Sequence, residues 1–266
     1  MVRIRFILLG LFVLLIPSLG HADDNEGEFS SEIFYAREYR YQGDTLKYRI
    51  LYPKGYGVEG LKFPLFVFLH GEDERGRDNL MQLKYGAQLY MSEEARNYQS
   101  AVVIIPQCPE SDTWAKYDKL DDGSIVLREN PEQTKSSIIV ERLIQHFLKK
   151  QNEIDASRVY LVGKGMGGFG VLDLVARNPK LYTAAISVSG VIEPSRLKKK
   201  KVPVRLYHGV EDPIVPIQYA RDLEAVLKSN SNGSDLVEFQ DTKHDDAWEM
   251  ATSAAEFMEW LFEKTK

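Results

Sequence analysis

Residues 158–174 read RVYLVGKGMGGFGVLDL. An apolar run enters Gly163-Lys164-Gly165-Met166-Gly167-Gly168, and an apolar helical pattern leaves it at once. A G-x-S-x-G corner between strand and helix holds a nucleophilic serine out above a sheet, and its flanking glycines let strand and helix pass closely. Gly163 and Gly167 fill the flanking places, but the centre is Gly165, which has no side chain to attack with. Downstream, residues 208–216 read HGVEDPIVP, with Asp212 in a loop just after an apolar run. That is the place for a carboxylate that orients a histidine. His244 follows the short strand pattern Val237–Phe239, in the loop 241–247. Nucleophile, acid, histidine is the chain order that goes with such a corner. Positions 165, 212 and 244 keep that order, each expected at the C-terminal end of a strand. The chemistry they point to is acyl transfer to a hydroxyl deprotonated by His244, with the hydroxyl itself missing.

A second part of such a site is a pair of backbone donors for a developing oxyanion. The run Phe66–Leu69 ends in His70-Gly71, and the N–H of the next residue, Glu72, is expected to work with the N–H of Met166. His70 either fixes that loop or faces the substrate, and His208 is read as structural. One rival reading uses the same glycines. Gly163, Gly165 and Gly168 satisfy G-x-G-x-x-G, the turn of a dinucleotide site. That unit usually opens its fold, whereas here two or three strands precede it. The acidic residue expected about twenty positions on is also absent, since 183–190 read TAAISVSG. No histidines lie at metal-ligand spacing and there is a single cysteine, so neither a metal nor a cofactor is expected.

These residues need a scaffold of strands that end at one edge. Phe63–Leu69, Ala101–Ile105, Val159–Val162, Ala184–Val188 and Val202–Tyr207 are dense apolar runs suited to strands buried on both faces. Thr45–Tyr52 alternates like an antiparallel strand. Helical patterns lie between: 132–150 with Ile139, Leu143, Ile144 and Phe147 on one stripe, Met166–Ala176, Ile217–Leu227, and Ala247–Glu263 as a single helix. Strand and helix in alternation imply an α/β fold with a mostly parallel central sheet flanked by helices on both faces. Two segments, 112–133 and 193–202, read as loops, and the four lysines Lys198–Lys201 as a solvated connection. No repeat or linker divides the chain, so 33–266 is expected to be one domain.

The 266 residues are 44% hydrophobic and 27% charged, ordinary globular values. A net charge of −5 offers no general attraction to nucleic acid. Residues 1–22 differ from the rest. Arg3 and Arg5 precede eleven residues, Phe6–Ile16, interrupted only by Gly10, and Pro17, Gly20 and Ala22 follow. This reads as a secretory signal peptide cut after Ala22 or Gly20, too short to span a bilayer. Residues 23–32 are polar, acidic and expected to be disordered. The cleaved protein is expected to be secreted or periplasmic and free of the membrane, and Cys108 alone provides no internal disulfide.

The stretches 63–79, 102–114, 158–179, 184–190, 207–216 and 244–248 together resemble the α/β-hydrolase superfamily. The resemblance is to secreted bacterial carboxylesterases of the feruloyl-esterase and polyhydroxyalkanoate-depolymerase kind. It implies the α/β-hydrolase fold and a small-molecule ester or acylated carbohydrate as ligand. Asp212 and His244 would then be catalytic, Trp114 and Trp248 would line the substrate cleft or else be core aromatics, His70 is a further candidate for substrate contact, and Cys108 would be no nucleophile. The departures fall on the chemistry. Gly165 stands for the serine, Lys164 for an apolar residue, and Glu72 and Asp73 for small residues beside the oxyanion site. The expectation is an exported esterase homologue of impaired catalysis that binds an ester, an acylated glycan or a protein partner. The alternative is an active hydrolase in which His244 and Asp212 activate water directly.

Overall fold

The computed structural model describes residues 33–254 and 256–266, so the leader 1–22 and the segment 23–32 lie outside the described residues. An eight-stranded sheet runs through the middle. Its strands are β1 (Tyr35–Tyr41), β2 (Asp44–Leu51), β3 (Phe63–Leu69), β4 (Val102–Pro106), β7 (Ile154–Lys164), β8 (Ala184–Val188), β9 (Val204–Gly209) and β10 (Asp235–Phe239). Their order is β1-β2-β4-β3-β7-β8-β9-β10. The pairs β1–β2 and β2–β4 are antiparallel, and every other neighbouring pair is parallel.

The central strands are buried on both faces, which is why they read as unbroken apolar runs. Successive side chains go to opposite cores. From β3, Leu65, Val67 and Leu69 enter one core and Phe66 and Phe68 the other; from β4, Val102 and Ile104 part from Val103 and Ile105 in the same way. The first core is closed by α3 (Lys135–Lys150), α4 (Met166–Arg177) and α5 (Ile217–Ser229). The stripe Ile139, Leu143, Ile144 and Phe147 is buried as the 3.6-residue period requires. Thr134 caps α3 by accepting from the Ser137 N–H at 3.2 Å. The second core is closed by α1 (Leu83–Gly86), α6 (Ala247–Ser253) and α7 (Glu256–Phe262), and a further short helix, α2 (Glu93–Tyr98), flanks it.

Besides α1 and α2, which form in a stretch that the sequence-based reading leaves unassigned, the structure departs from that reading in three places. The single helix at 247–263 is two. Thr252 and Ser253 hydroxyls donate back to the carbonyls of Trp248 and Glu249, a local competitor of helix continuation, and Ala254 turns to extended backbone. The bend lets Trp248 and Ala251 on one segment, and Phe257 and Leu261 on the next, enter the same core. The segment 112–133 carries a small hairpin of β5 (Asp118–Lys119) and β6 (Ile125–Val126). The edge strand β1 is absent from the sequence-based reading, because in YAREYRY only Tyr39 and Tyr41 pack against the core and the other positions are exposed.

Candidate active site

One residue, Gly165, separates the end of β7 from the start of α4. Its backbone has φ +51° and ψ −117°, a conformation that glycine adopts freely and L side chains only under strain. The corner is held by contact rather than by residue 165. A Cβ on Gly163 would overlap the backbone of Gly167 and Gly168, and one on Gly167 would overlap the carbonyl of Leu69 at the end of β3. The Gly165 N–H donates to the Val188 carbonyl on β8 at 2.8 Å, which fastens the turn to the next strand.

Asp212 and His244 meet above this corner. Asp212 lies in the loop after β9 and His244 in the loop after β10. His244 Nδ1 is 2.7 Å from Asp212 Oδ2. Asp212 Oδ1 accepts from the backbone N–H groups of Ile214 and Val215 at 2.9 and 2.8 Å. His208 Nε2 donates to the Val215 carbonyl at 2.8 Å and lies 3.3 Å from Asp212 Oδ2. Burial acts to raise the Asp212 pKa, but the hydrogen bonds from His208, His244 and the backbone outweigh it and hold the carboxyl well below the usual carboxylate range. Asp212 is therefore an anion that fixes the His244 ring. The other ring nitrogen, Nε2, lies 3.2 Å from the point where a Cβ on Gly165 would sit.

Glu72 and Met166 both line the cavity that opens at Gly165. Met166 is the first residue of α4, so its N–H has no helical carbonyl to meet. The Glu72 side chain is engaged elsewhere, 3.1 Å from Arg75 and 2.9 Å from Lys119 on β5. Its carboxylate is thereby paired, and the hairpin is tied to the loop after β3.

Three assignments of substrate contact do not hold. Trp114 is fully buried, donates its indole N–H to the His70 carbonyl at 3.1 Å and packs against Gly170 of α4. Trp248 is buried in the other core against Phe68, Tyr85 and Phe257. His70 has no exposed surface. Its Nδ1–H donates to the Gly71 carbonyl at 2.7 Å and its Nε2 accepts from the Cys108 N–H at 2.9 Å, so it pins the loop to the end of β4. Aromatic side chains near loops were read as cleft walls, and the apolar cores claimed two of them. The Cys108 thiol is itself buried and pushed up to about 12 by burial, so it stays protonated.

Burial pushes the His70 imidazole down to about 4, against the opposing bond to Gly71. An unfolded histidine titrates near ~6.5, so the folded state is the worse proton acceptor. Its contribution is fully present above about 6.5 and is lost as pH falls toward 4, for about 3 kcal/mol in all. Unfolding midpoints in denaturant should drop across that window, and His70→Gln should flatten the drop. An unchanged slope in the variant would remove His70 as its cause.

The cavity at Gly165 has a volume of about 340 Å³. Its apolar wall is Tyr117, Ile125, Met166, Phe169, Ile214 and Val215, and its polar wall includes Asp73, Arg75, Lys119, Lys164 and Asp245. Sequence reasoning did not find Tyr117, Lys119 or Ile125, because they come from a segment read as a plain loop. A larger groove of about 750 Å³ lies apart from Gly165, Asp212 and His244, along Asp44–Lys47 and the start of α3.

The chain shares its architecture with solved esterases. A thermostable esterase matches with a TM-score of 0.78 and 29% identity over 88% of this chain. The chain spans 64% of that esterase's length. Est1E from Butyrivibrio proteoclasticus matches with a TM-score of 0.59 and 16% identity, over 86% of this chain and 99% of its own. The S-formylglutathione hydrolase FrmB from Staphylococcus aureus gives 0.59 and 13%, over 86% and 98%. No curated protein matches. The model of the phospholipase/carboxylesterase family, an α/β-hydrolase family, matches residues 99–262. That match takes in the corner at Gly165, the Asp212 loop and the His244 loop, and with it more than half of the sequence: the chain belongs to the phospholipase/carboxylesterase family.

Proposed function

We propose that this protein is an exported esterase homologue that binds an ester or acylated carbohydrate at Gly165 without forming an acyl-enzyme. The observation that carries the reading is the Gly165 corner. The turn, the Asp212–His244 pair and the free N–H of Met166 are arranged as for a nucleophile, and the residue at the centre has no side chain. Among the described residues, no serine lines the cavity at Gly165. The Ser187 hydroxyl is buried and donates to the Gly190 carbonyl at 2.9 Å; that of Ser189 is buried and donates to the His244 carbonyl at 3.1 Å. Loss of a triad serine lowers turnover by about 10⁶-fold.

The expected result is that the purified protein shows no burst with activated esters and takes no label from a fluorophosphonate. Stoichiometric labelling, with Ser187 and Ser189 the first positions to map, would end this reading. Export rests on the basic, apolar and small-residue pattern of 1–22, and a mature protein beginning at Asp23 or His21 is its expected product.

A second reading has support from one distance. His244 Nε2 is directed at the unfilled position, so a water placed there would meet a general base held by Asp212. Its mark is slow, burst-free ester hydrolysis that resists fluorophosphonate and disappears in His244→Ala.

A further inference from the structure

Lys164, the residue before Gly165, is 7% exposed, yet its ammonium donates no hydrogen bond among the described residues. It lines the same cavity as Gly165 and His244. Its Nζ sits 4.3 Å from the centre of the Tyr85 ring and 3.6 Å from the carboxylate of Asp245, whose side chain is 76% exposed. It is also 3.7 Å from the point where a Cβ on Gly71 would lie, which puts it against the loop that carries the Glu72 N–H. A buried ammonium without hydrogen bonds is costly, and a solvated carboxylate at that distance compensates it poorly. Glu74, a buried carboxyl that accepts from the Gly71 N–H, is raised by burial toward its neutral form, and the positive charge of Lys164 and that hydrogen bond only partly oppose this.

The vacated corner has backbone donors at its rim. The N–H of Met166 opens α4 and Glu72 borders the cavity, while His244 Nε2, on a ring whose Nδ1 is bonded to Asp212, faces the position of the lost side chain and donates to an anion only once the ring is protonated. An ester offers such a set one good acceptor, its carbonyl oxygen. A carboxylate offers two charged oxygens, and the space a serine Oγ would occupy is open to the second. Hydrogen bonds to an ionised acceptor are about twice as strong as neutral ones. Of the acidic side chains around the cavity, Glu72 is paired with Arg75 and Lys119; Asp73 and the solvated Asp245 are left to oppose an incoming anion.

We propose that the ligand held at Gly165 is a free carboxylic acid in its ionised form, and that Lys164 selects it over the neutral ester. The proposal rests on the cleft being retained for an acyl ligand. It adds that the ligand resembles the product of ester hydrolysis rather than its substrate. The apolar wall of Tyr117, Ile125, Phe169 and Ile214, in a cavity of about 340 Å³, fits an aromatic or short aliphatic tail.

The test is calorimetric titration of the full chain with benzoate, hexanoate and their methyl esters at neutral pH. Each acid should bind at least about tenfold more tightly than its ester, and bound benzoate should shift the NMR signals of the His244 ring. Lys164→Met should weaken the acids about tenfold and leave the esters unchanged, while Lys164→Arg keeps the preference. Esters that bind as tightly as acids, a His244 signal that ignores benzoate, or a Lys164→Met loss shared equally by acid and ester each overturn the proposal. In the first case the ester-binding reading stands without it. Binding of neither acid nor ester overturns both. The acid–ester comparison is made on the parent protein, so it decides the matter even where Lys164→Met does not fold.

Discussion

Gly165→Ser is expected to hydrolyse short-chain esters at least about 10³-fold faster than the parent, which is part of the roughly 10⁶-fold that a triad serine supplies. The gain follows from distances already in place. A Cβ at position 165 would lie 3.2 Å from His244 Nε2, so the ring has to yield by a few tenths of an ångström. The new hydroxyl would then stand within reach of a base whose Nδ1 is 2.7 Å from Asp212. The same variant should lose about 1–3 kcal/mol of stability, because a residue with a side chain at φ +51° carries strain that glycine does not. Activity with p-nitrophenyl esters and thermal unfolding measure the two effects together. The gain should vanish in the Gly165→Ser, His244→Ala double variant. If Gly165→Ser folds but stays inert toward a range of acyl and phenolic esters, Asp73→Ala is the next change, since Glu72 is already paired with Arg75 and Lys119. Continued inactivity then means that the cleft has been rebuilt and not merely disarmed.

The second large effect is on folding. Gly167→Ala should destabilise the protein by at least about 4 kcal/mol, a loss reserved for backbone overlap and similar faults. The added methyl would fall on the carbonyl of Leu69 and 2.8 Å from that of His70, and neither is a flexible side chain that could move aside. Gly76→Ala is the matching control. Its methyl would meet the Gln107 amide nitrogen at 3.2 Å and the Asp78 carboxylate at 3.9 Å, both at side-chain ends. Denaturant unfolding should place the control within about 1.5 kcal/mol of the parent. A Gly167→Ala protein as stable as the control would show that β3 and α4 are not locked at this crossing.

The order Gly165, Asp212, His244 was legible because the first two follow apolar runs of inner strand and the third a short strand pattern at the sheet edge, and the chain must leave each strand at its end. The two cores were legible as well, since strands buried on both faces leave no polar gaps. What escaped depended on contacts between distant segments. The pairing of Glu72 with Lys119 joins residues 47 positions apart, and nothing local to either one announces it. Strand β1 escaped because it lies at the sheet edge, where only Tyr39 and Tyr41 touch the core and the charged residues beside them stay in solvent. For Trp114 and Trp248 the resemblance left cleft and core both open, and the packing of the cores decides it. Lys164 stood out as a departure from the family pattern, but its burial without a hydrogen bond is a fact of packing.

The crossing of β3, β7 and α4 has a bearing on how this protein came to be and where it could go. Gly163 and Gly167 are fixed by contact with other backbone, whereas residue 165 is constrained only by its own conformation. Selection against misfolding therefore keeps the turn in shape in every generation, whether or not anything is being hydrolysed there. A serine codon of the AGT or AGC kind becomes a glycine codon by one nucleotide change, and the reverse change is equally short. A lineage that lost the hydroxyl at this spot would not see the surrounding geometry decay at the pace of an unused part. Where Gly165→Ser gains the expected hydrolysis, the route to a serine esterase is a single mutational step long for as long as the fold itself is maintained.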